Sequence, residues 1–170
     1  YPEKVASLFD EFSLTVILDK LKPLFEDTQT HFCGQNLKYD ALVLSRYEIG
    51  LNGIIFDSMI AEHLLHPEKN SYKLDYLALD YLNYRMIPIE DLIGKGAKQI
   101  SMADVPLKEI AFYATEDADV ALQVALKQQP IIPEENLSEP FENIEMPLLP
   151  VLITMEVNGV YLDLEFLKKL

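Results

Sequence analysis

At 170 residues, 49% hydrophobic and 25% charged, the chain suits one globular domain with a real core and a short attached element. No apolar run approaches the roughly 20 residues that span a bilayer and no leader has signal-peptide form. The single cysteine, Cys33, excludes an intrachain disulfide and a cysteine-rich zinc site, so a reducing cytoplasm fits best. The net charge of −14, against only 14 lysines and arginines, argues by itself against a surface that grips phosphates. Carboxylates that ligate divalent cations, or a basic partner domain, would make the acidity compatible with such a role.

In chain order, residues 3–27 carry apolar positions at helical spacing (Val5, Leu8, Phe9, then Val16, Ile17, Leu21, Leu24, Phe25) and predict two short helices. His31 to Gln35 suits a short strand. Asn36 is placed to cap a helix from about Leu37 to Glu48. In that helix Tyr39, Val43 and Tyr47 form the expected buried face, with Asp40 close to it. Gly53 to Phe56 reads as a buried strand, followed by a helix that Asp57 or Ser58 caps and that reaches Leu65. A loop from His66 to Asn70, a helix from Lys73 to Leu82 and an exposed turn at Gly94-Lys95-Gly96 come next. A long helix is expected from Pro106 to Gln128. The prolines and carboxylates of 129–140 suggest a linker, and a last helix over 141–157 carries Pro147 and Pro150. This is an α/β pattern with little sheet. Two strands do not make a stable central sheet, so part of the sheet is expected to be missing and the chain reads as a fragment.

Two carboxylates stand out. On the long helix, Leu107, Ala111, Ala114, Ala118, Leu122 and Ala125 form a narrow apolar stripe, which predicts close approach by another backbone. Asp117 lies at its border with Tyr113 one turn earlier, while Glu116 and Asp119 point to solvent. By spacing alone, Asp117 reads first as a partly buried aspartate bonded to Tyr113 or to a cap. Asp40, near a helix N-terminus whose dipole favours an ionised carboxylate, is readable as a helix-start residue with no further duty. Taken together, the two aspartates permit a site for a pair of Mg²⁺ or Mn²⁺ ions, with Tyr113 orienting water. Such a site needs a third or fourth carboxylate. His31, His63 and His66 show no ligand pattern.

Gly34-Gln-Asn-Leu-Lys-Tyr-Asp40 resembles the second exonuclease motif of the bacterial DNA polymerase I family, and Tyr113-Ala-Thr-Glu-Asp-Ala-Asp119 resembles the third. Ile55 to Met59, Leu74 to Leu77 and Ile93 to Gly96 match between them in order. Phe141 to Pro147 and Met155 to Val160 resemble the entry to the polymerase domain. The resemblance implies a ribonuclease H-like 3′-5′ exonuclease fold, truncated at its N-terminus and predominantly helical. Residues 1–128 would be the partial exonuclease domain, 129–140 a linker and 141–170 the start of the polymerase domain. It implies proofreading by two-metal hydrolysis at a DNA primer 3′ end, with the polymerase domain in cis and no membrane. Asp117 and Asp40 would hold Mg²⁺ or Mn²⁺, Tyr113 the attacking water, and Gln35 and Asn36 the terminal nucleotide. Ile89 stands where the family often has an aromatic residue.

The family's first motif, Asp-x-Glu, does not occur ahead of Asp40, and Asp163-Leu-Glu165 lies in the wrong region to replace it. The expectation is an isolated chain without nuclease activity that self-associates through an uncovered sheet edge. The alternative is a non-catalytic exonuclease-like structural domain of a DNA polymerase I. A free-standing ribonuclease D type of enzyme is opposed by the residues from Phe141 to Val160, and an acidic interaction module is the remaining reading.

Overall fold

The computed structural model describes residues 13–169. Val5, Leu8 and Phe9, from the first expected helix, lie outside them. The rest of that region is one helix, α1 (Leu14–Glu26), which runs through Pro23 and is capped by the Ser13 hydroxyl accepting from the Val16 N–H at 3.3 Å. Strand β1 (Phe32–Gly34), helix α2 (Leu37–Ser45) and strand β2 (Ile54–Asp57) form a β-α-β unit. The strands pair in parallel, as a helical crossover requires.

The register runs Phe32 to Ile54, then Cys33 to Phe56 and Gly34 to Asp57. The bulge leaves Ile55 unpaired and turned outward, whereas Phe56 and Asp57 are buried. Entry to β2 is fixed at Gly53, φ 68°, where a Cβ would sit 2.1 Å from the Thr30 carbonyl oxygen. Only glycine fits there.

Beyond β2 come α3 (Ser58–Leu65), α4 (Leu74–Leu82), the short α5 (Ile89–Ile93) and the long α6 (Leu107–Gln128). Pro106 immediately precedes the first turn of α6. The proline-rich segment expected as a linker is helical, as α7 (Ile131–Glu134) and α8 (Ser138–Pro140). Ile132 and Phe141 are buried, and the Phe141 ring lies 5.1 Å from that of Phe56. Apolar side chains spaced among the prolines hold this segment against the core. A π-turn over Phe141–Glu145 leads into α9 (Met146–Asn158), which packs on α2 and β2, and α10 (Leu164–Leu167) follows.

The C-terminal half of α6 is the centre of the molecule. On one side Ala125 packs with Phe56, Ala61, Ile132 and Phe141; on another Val120 and Val124 pack with Leu77, Ala78 and Met86. Two expected faces are rotated. In α2 the buried pair is Leu37 and Ala41, one turn apart, and Tyr39 is 65% exposed. In α6 the buried face is Val120, Ala121, Val124, Ala125 and Gln128, while the stripe from Leu107 to Leu122 is open and Leu107 is 66% exposed. Strand β1 and helices α3 and α4 pack on α6, where Ala125 is buried, while Ala111, Ala114 and Ala118 stay exposed. Amphipathic spacing marks a face able to be covered; it does not supply the cover.

Candidate active site

The residues singled out in the sequence meet on one groove. Gln35, Asn36, Asp40, Tyr113 and Asp117 all line an open cavity of about 1330 Å³ between α2, α4 and α6. At 100° per residue, Tyr113 and Asp117 lie on the same face of α6 as Val120, Val124 and Gln128. The C-terminal half of that face packs into the core. The N-terminal half looks into the groove.

The α2 side is built on Asp57. Its carboxylate, 1% exposed, accepts from the backbone N–H groups of Met59 (2.9 Å) and Ile60 (3.3 Å) and so caps α3. It also accepts from Asn36 (3.1 Å) and Leu37 (2.7 Å) at the start of α2. The cap expected from Asn36 is therefore supplied by β2. Asn36 stands at the N-cap position in the left-handed region, φ 56°, and its side chain makes no capping bond, a conformation asparagine tolerates. Gln35 is braced as well. Its amide donates to the Tyr72 carbonyl at 2.7 Å, and its side-chain oxygen accepts from the Ser58 hydroxyl. These bonds fix the chain just ahead of Asp40.

The α6 side is fixed by Glu116, which sequence spacing assigns to solvent. It accepts from the Tyr84 hydroxyl (2.7 Å) and the Ile87 N–H (3.0 Å), clamping the loop after α4 beside Asp117. The partners are some 30 positions away, so nothing local announces them. Asp119 stays outward and accepts from Gln123.

Electrostatically the groove is dominated on these two sides by carboxylates. Loss of water pushes the Asp40 carboxyl above its ordinary range, and the Asp57 charge adds to this. The helix dipole expected to hold Asp40 ionised is outweighed. Asp117 is likewise raised, first by desolvation and then by Glu116, with the hydrogen bond from Tyr113 opposing. The Tyr113 phenol is raised by desolvation and by the Asp117 charge, and stays protonated. Two oxygen-donor carboxylates that are costly to ionise alone suit a hard divalent cation. They form part of a ligand set only. Among the described residues, no group of three or more His, Cys, Asp and Glu is placed to hold a metal. Asp163 caps α10 through the Phe166 N–H, and Glu165 pairs with Lys168. His63 lies edge-on to Tyr72, with ring centroids 5.3 Å apart. Among the described residues no helix is long and apolar enough to cross a membrane.

The sequence matches the family model described as 3′-5′ exonuclease, of DNA polymerase A, over residues 1–133. It is 38% identical over 163 residues to DNA polymerase I of Pseudomonas aeruginosa, a match covering 93% of this chain and 18% of that protein. It is 35% identical over 153 residues to DNA polymerase I of Rhizobium leguminosarum, covering 90% and 15%. The chain thus spans less than a fifth of these relatives' length. Among solved structures, the POL domain of Pol1 from M. smegmatis in complex with DNA primer-template and dNTP superposes with a TM-score of 0.74 at 18% identity, covering 92% of this chain and 24% of that one. Brucella melitensis NrnC gives 0.68 at 16%, covering 82% and 64%. At those identities the likeness shows the fold: mostly helical, with a small parallel sheet of ribonuclease H-like type.

Proposed function

The chain belongs to the 3′-5′ exonuclease family of DNA polymerase A, and from that premise we propose that its groove is the proofreading site of a cytoplasmic DNA polymerase I. The observation that carries this reading is the convergence of Gln35, Asn36, Asp40, Tyr113 and Asp117 on one groove. Asp117 and Asp40 would hold divalent metal ions, Mg²⁺ or Mn²⁺, which when bound favour attack by water and stabilise the leaving oxygen of a phosphodiester. Tyr113, kept protonated, offers a hydroxyl that orients the attacking water. The side chain of Asn36, unused by the helix cap, is available to the terminal nucleotide. Gln35, whose amide donates to the Tyr72 carbonyl and whose oxygen accepts from Ser58, is braced in the wall and has a second amide N–H to offer the terminal nucleotide. The polymerase domain in cis would hold the duplex, which makes the acidity of this chain compatible with DNA.

A working site also requires the upstream Asp-x-Glu, which does not precede Asp40 here. The alternative reading is an exonuclease-like structural domain without catalysis, against which the retention of Asp40, Tyr113 and Asp117 on one groove counts. Calorimetry separates them. The chain is expected to bind Mn²⁺, and Asp117→Ala to abolish the binding, while a single-stranded 3′ end stays untrimmed in Mg²⁺. Mn²⁺ binding unchanged in the variant, or absent from both proteins, would overturn the metal assignment and leave the structural reading.

The open apolar faces carry a further expectation. Val43 on α2, Tyr47 in the turn after it, Phe112 and Leu126 on α6 and Ile55 on β2 are all exposed, which favours self-association. Light scattering should give a mass that rises with concentration. A constant monomer mass across the micromolar range would refute it.

A further inference from the structure

Ser58 is fully buried at the start of α3, yet the helix does not use its hydroxyl. Asp57 supplies the cap, accepting from the Met59 and Ile60 N–H groups. The Ser58 hydroxyl instead meets two acceptors at the end of β1, the Gly34 carbonyl (3.0 Å) and the side-chain oxygen of Gln35. A hydroxyl that only tied α3 to β1 would need the Gly34 carbonyl and nothing more. The backbone carbonyl of Ser58 accepts from the Gln128 amide at 3.2 Å, which pins the residue to α6 as well.

The purpose of the second acceptor follows from the other end of the Gln35 amide. That end meets the Tyr72 carbonyl at 2.7 Å. A carbonyl only accepts, so the amide nitrogen must stand at Tyr72 and the amide oxygen at Ser58. The Tyr72 carbonyl is itself held in place. Its residue's hydroxyl lies 3.2 Å from both the His66 and the Pro67 carbonyls, and its ring is edge-on to His63. Turning the Gln35 amide over would set two carbonyl oxygens against each other. One amide N–H remains uncommitted, on a side chain that lines the groove.

We propose that Ser58 is a positioning residue: it holds the Gln35 amide in this orientation, so that Gln35 offers the groove an N–H donor that pairs with an acceptor oxygen of a nucleotide. The inference rests on the exonuclease reading and deepens it, adding a residue that touches no ligand and acts only through Gln35. Without the Ser58 hydroxyl the amide loses one of its two anchors, and the donor is no longer held ready.

The test is a titration of the chain with thymidine 5′-monophosphate in Mg²⁺, followed by heteronuclear NMR spectra in which the Gln35 side-chain amide is identified by its loss in Gln35→Ala. Gln35→Ala is expected to weaken binding about fivefold and Ser58→Ala about threefold, and the double variant no more than Gln35→Ala alone. A serine with a purely structural role would cost its factor again in the Gln35→Ala background. Equal affinity in Ser58→Ala, or losses that multiply in the double variant, would overturn the inference and leave the exonuclease reading standing. So would a Gln35 side-chain amide that resonates and exchanges like free glutamine in the unmodified chain, a result that requires no variant to fold. No shift of any groove residue on adding the nucleotide would sink both.

Discussion

Asp57→Ala is expected to destabilise the protein by about 3–5 kcal/mol, because it leaves four backbone N–H groups at two helix starts without an acceptor. Each end of the network matters differently. Met59 and Ile60 begin a helix with other support in the core, so losing that cap costs what an ordinary cap costs, about 1 kcal/mol. Asn36 and Leu37 have no other acceptor among the described residues, and Leu37 is itself buried. Without Asp57 the left-handed turn at Asn36 is unsupported, and the start of α2 frays with Asp40 in it. Asp57→Asn keeps one carbonyl oxygen and replaces the other by a donor facing N–H groups, so it should fall between wild type and alanine. Urea unfolding followed by circular dichroism gives the order directly. An alanine variant within about 1 kcal/mol of wild type would show that water satisfies those groups and that Asp57 does not organise the groove.

Glu62 carries the second large effect. Its side chain is fully buried in α3, where Lys69 (2.6 Å), the Tyr81 hydroxyl (2.6 Å) and the Gln128 amide (2.8 Å) all donate to it. Gln128, also fully buried, donates its amide to the Ser58 carbonyl at 3.2 Å as well, so the network joins α3, α4 and α6. Glu62→Gln presents a donor to a site made of donors, while Lys69 keeps Asp80 at 2.8 Å as a counter-charge. The expected loss, from donors at a fully buried position left without their acceptor, is about 1–3 kcal/mol.

The pH dependence has a definite sign. Burial raises the Glu62 carboxyl, but the bonds from Lys69, Tyr81 and Gln128 and the Lys69 charge outweigh it, and the net shift is downward. The folded state therefore binds this proton less readily than the unfolded chain. The associated stability is present above the ordinary glutamate range and is lost as pH falls through the depressed folded value. Asp40 and Asp117, shifted upward, act in the opposite sense: acid relieves the cost of their charges. Acid titration of the unfolding free energy should show a drop below the ordinary glutamate range that is shallower in Glu62→Gln, the remainder coming from Glu26 and Asp27, which are also shifted downward. A variant of equal stability and equal acid slope would refute the network's role.

The sequence carried these features unevenly. The two strands, α3, α4 and α6 were readable because caps, β-branched runs and period are local properties. The motif residues were readable because the two motif segments are continuous. Helix rotation was not. The Tyr39-Val43-Tyr47 row and the alanine row of α6 are good apolar stripes, but burial depends on which surface arrives opposite. Leu37 and Ala41, a shorter pair, received α9 and the sheet. Glu116 and Glu62 were unreadable for a different reason: each looks like one more acid in an acidic chain, and the donors that define it lie 19 to 66 positions away, apart from Lys69. Gln128 did leave a trace, a polar residue continuing the Val120-Val124 line.

The placement of α6 at the centre also sets an order of events during synthesis. The strand pair and α3 are complete by Leu65, yet Ser58 meets Gln128 only 70 positions later, and Phe56 is covered by Phe141. At about 5–20 residues per second, translation of those 70 residues takes roughly 4–14 s. For that interval the β-α-β unit lacks the cover that α6 and Phe141 give it, and Glu62 lacks its buried amide partner. The last third of the chain is what ends that exposure.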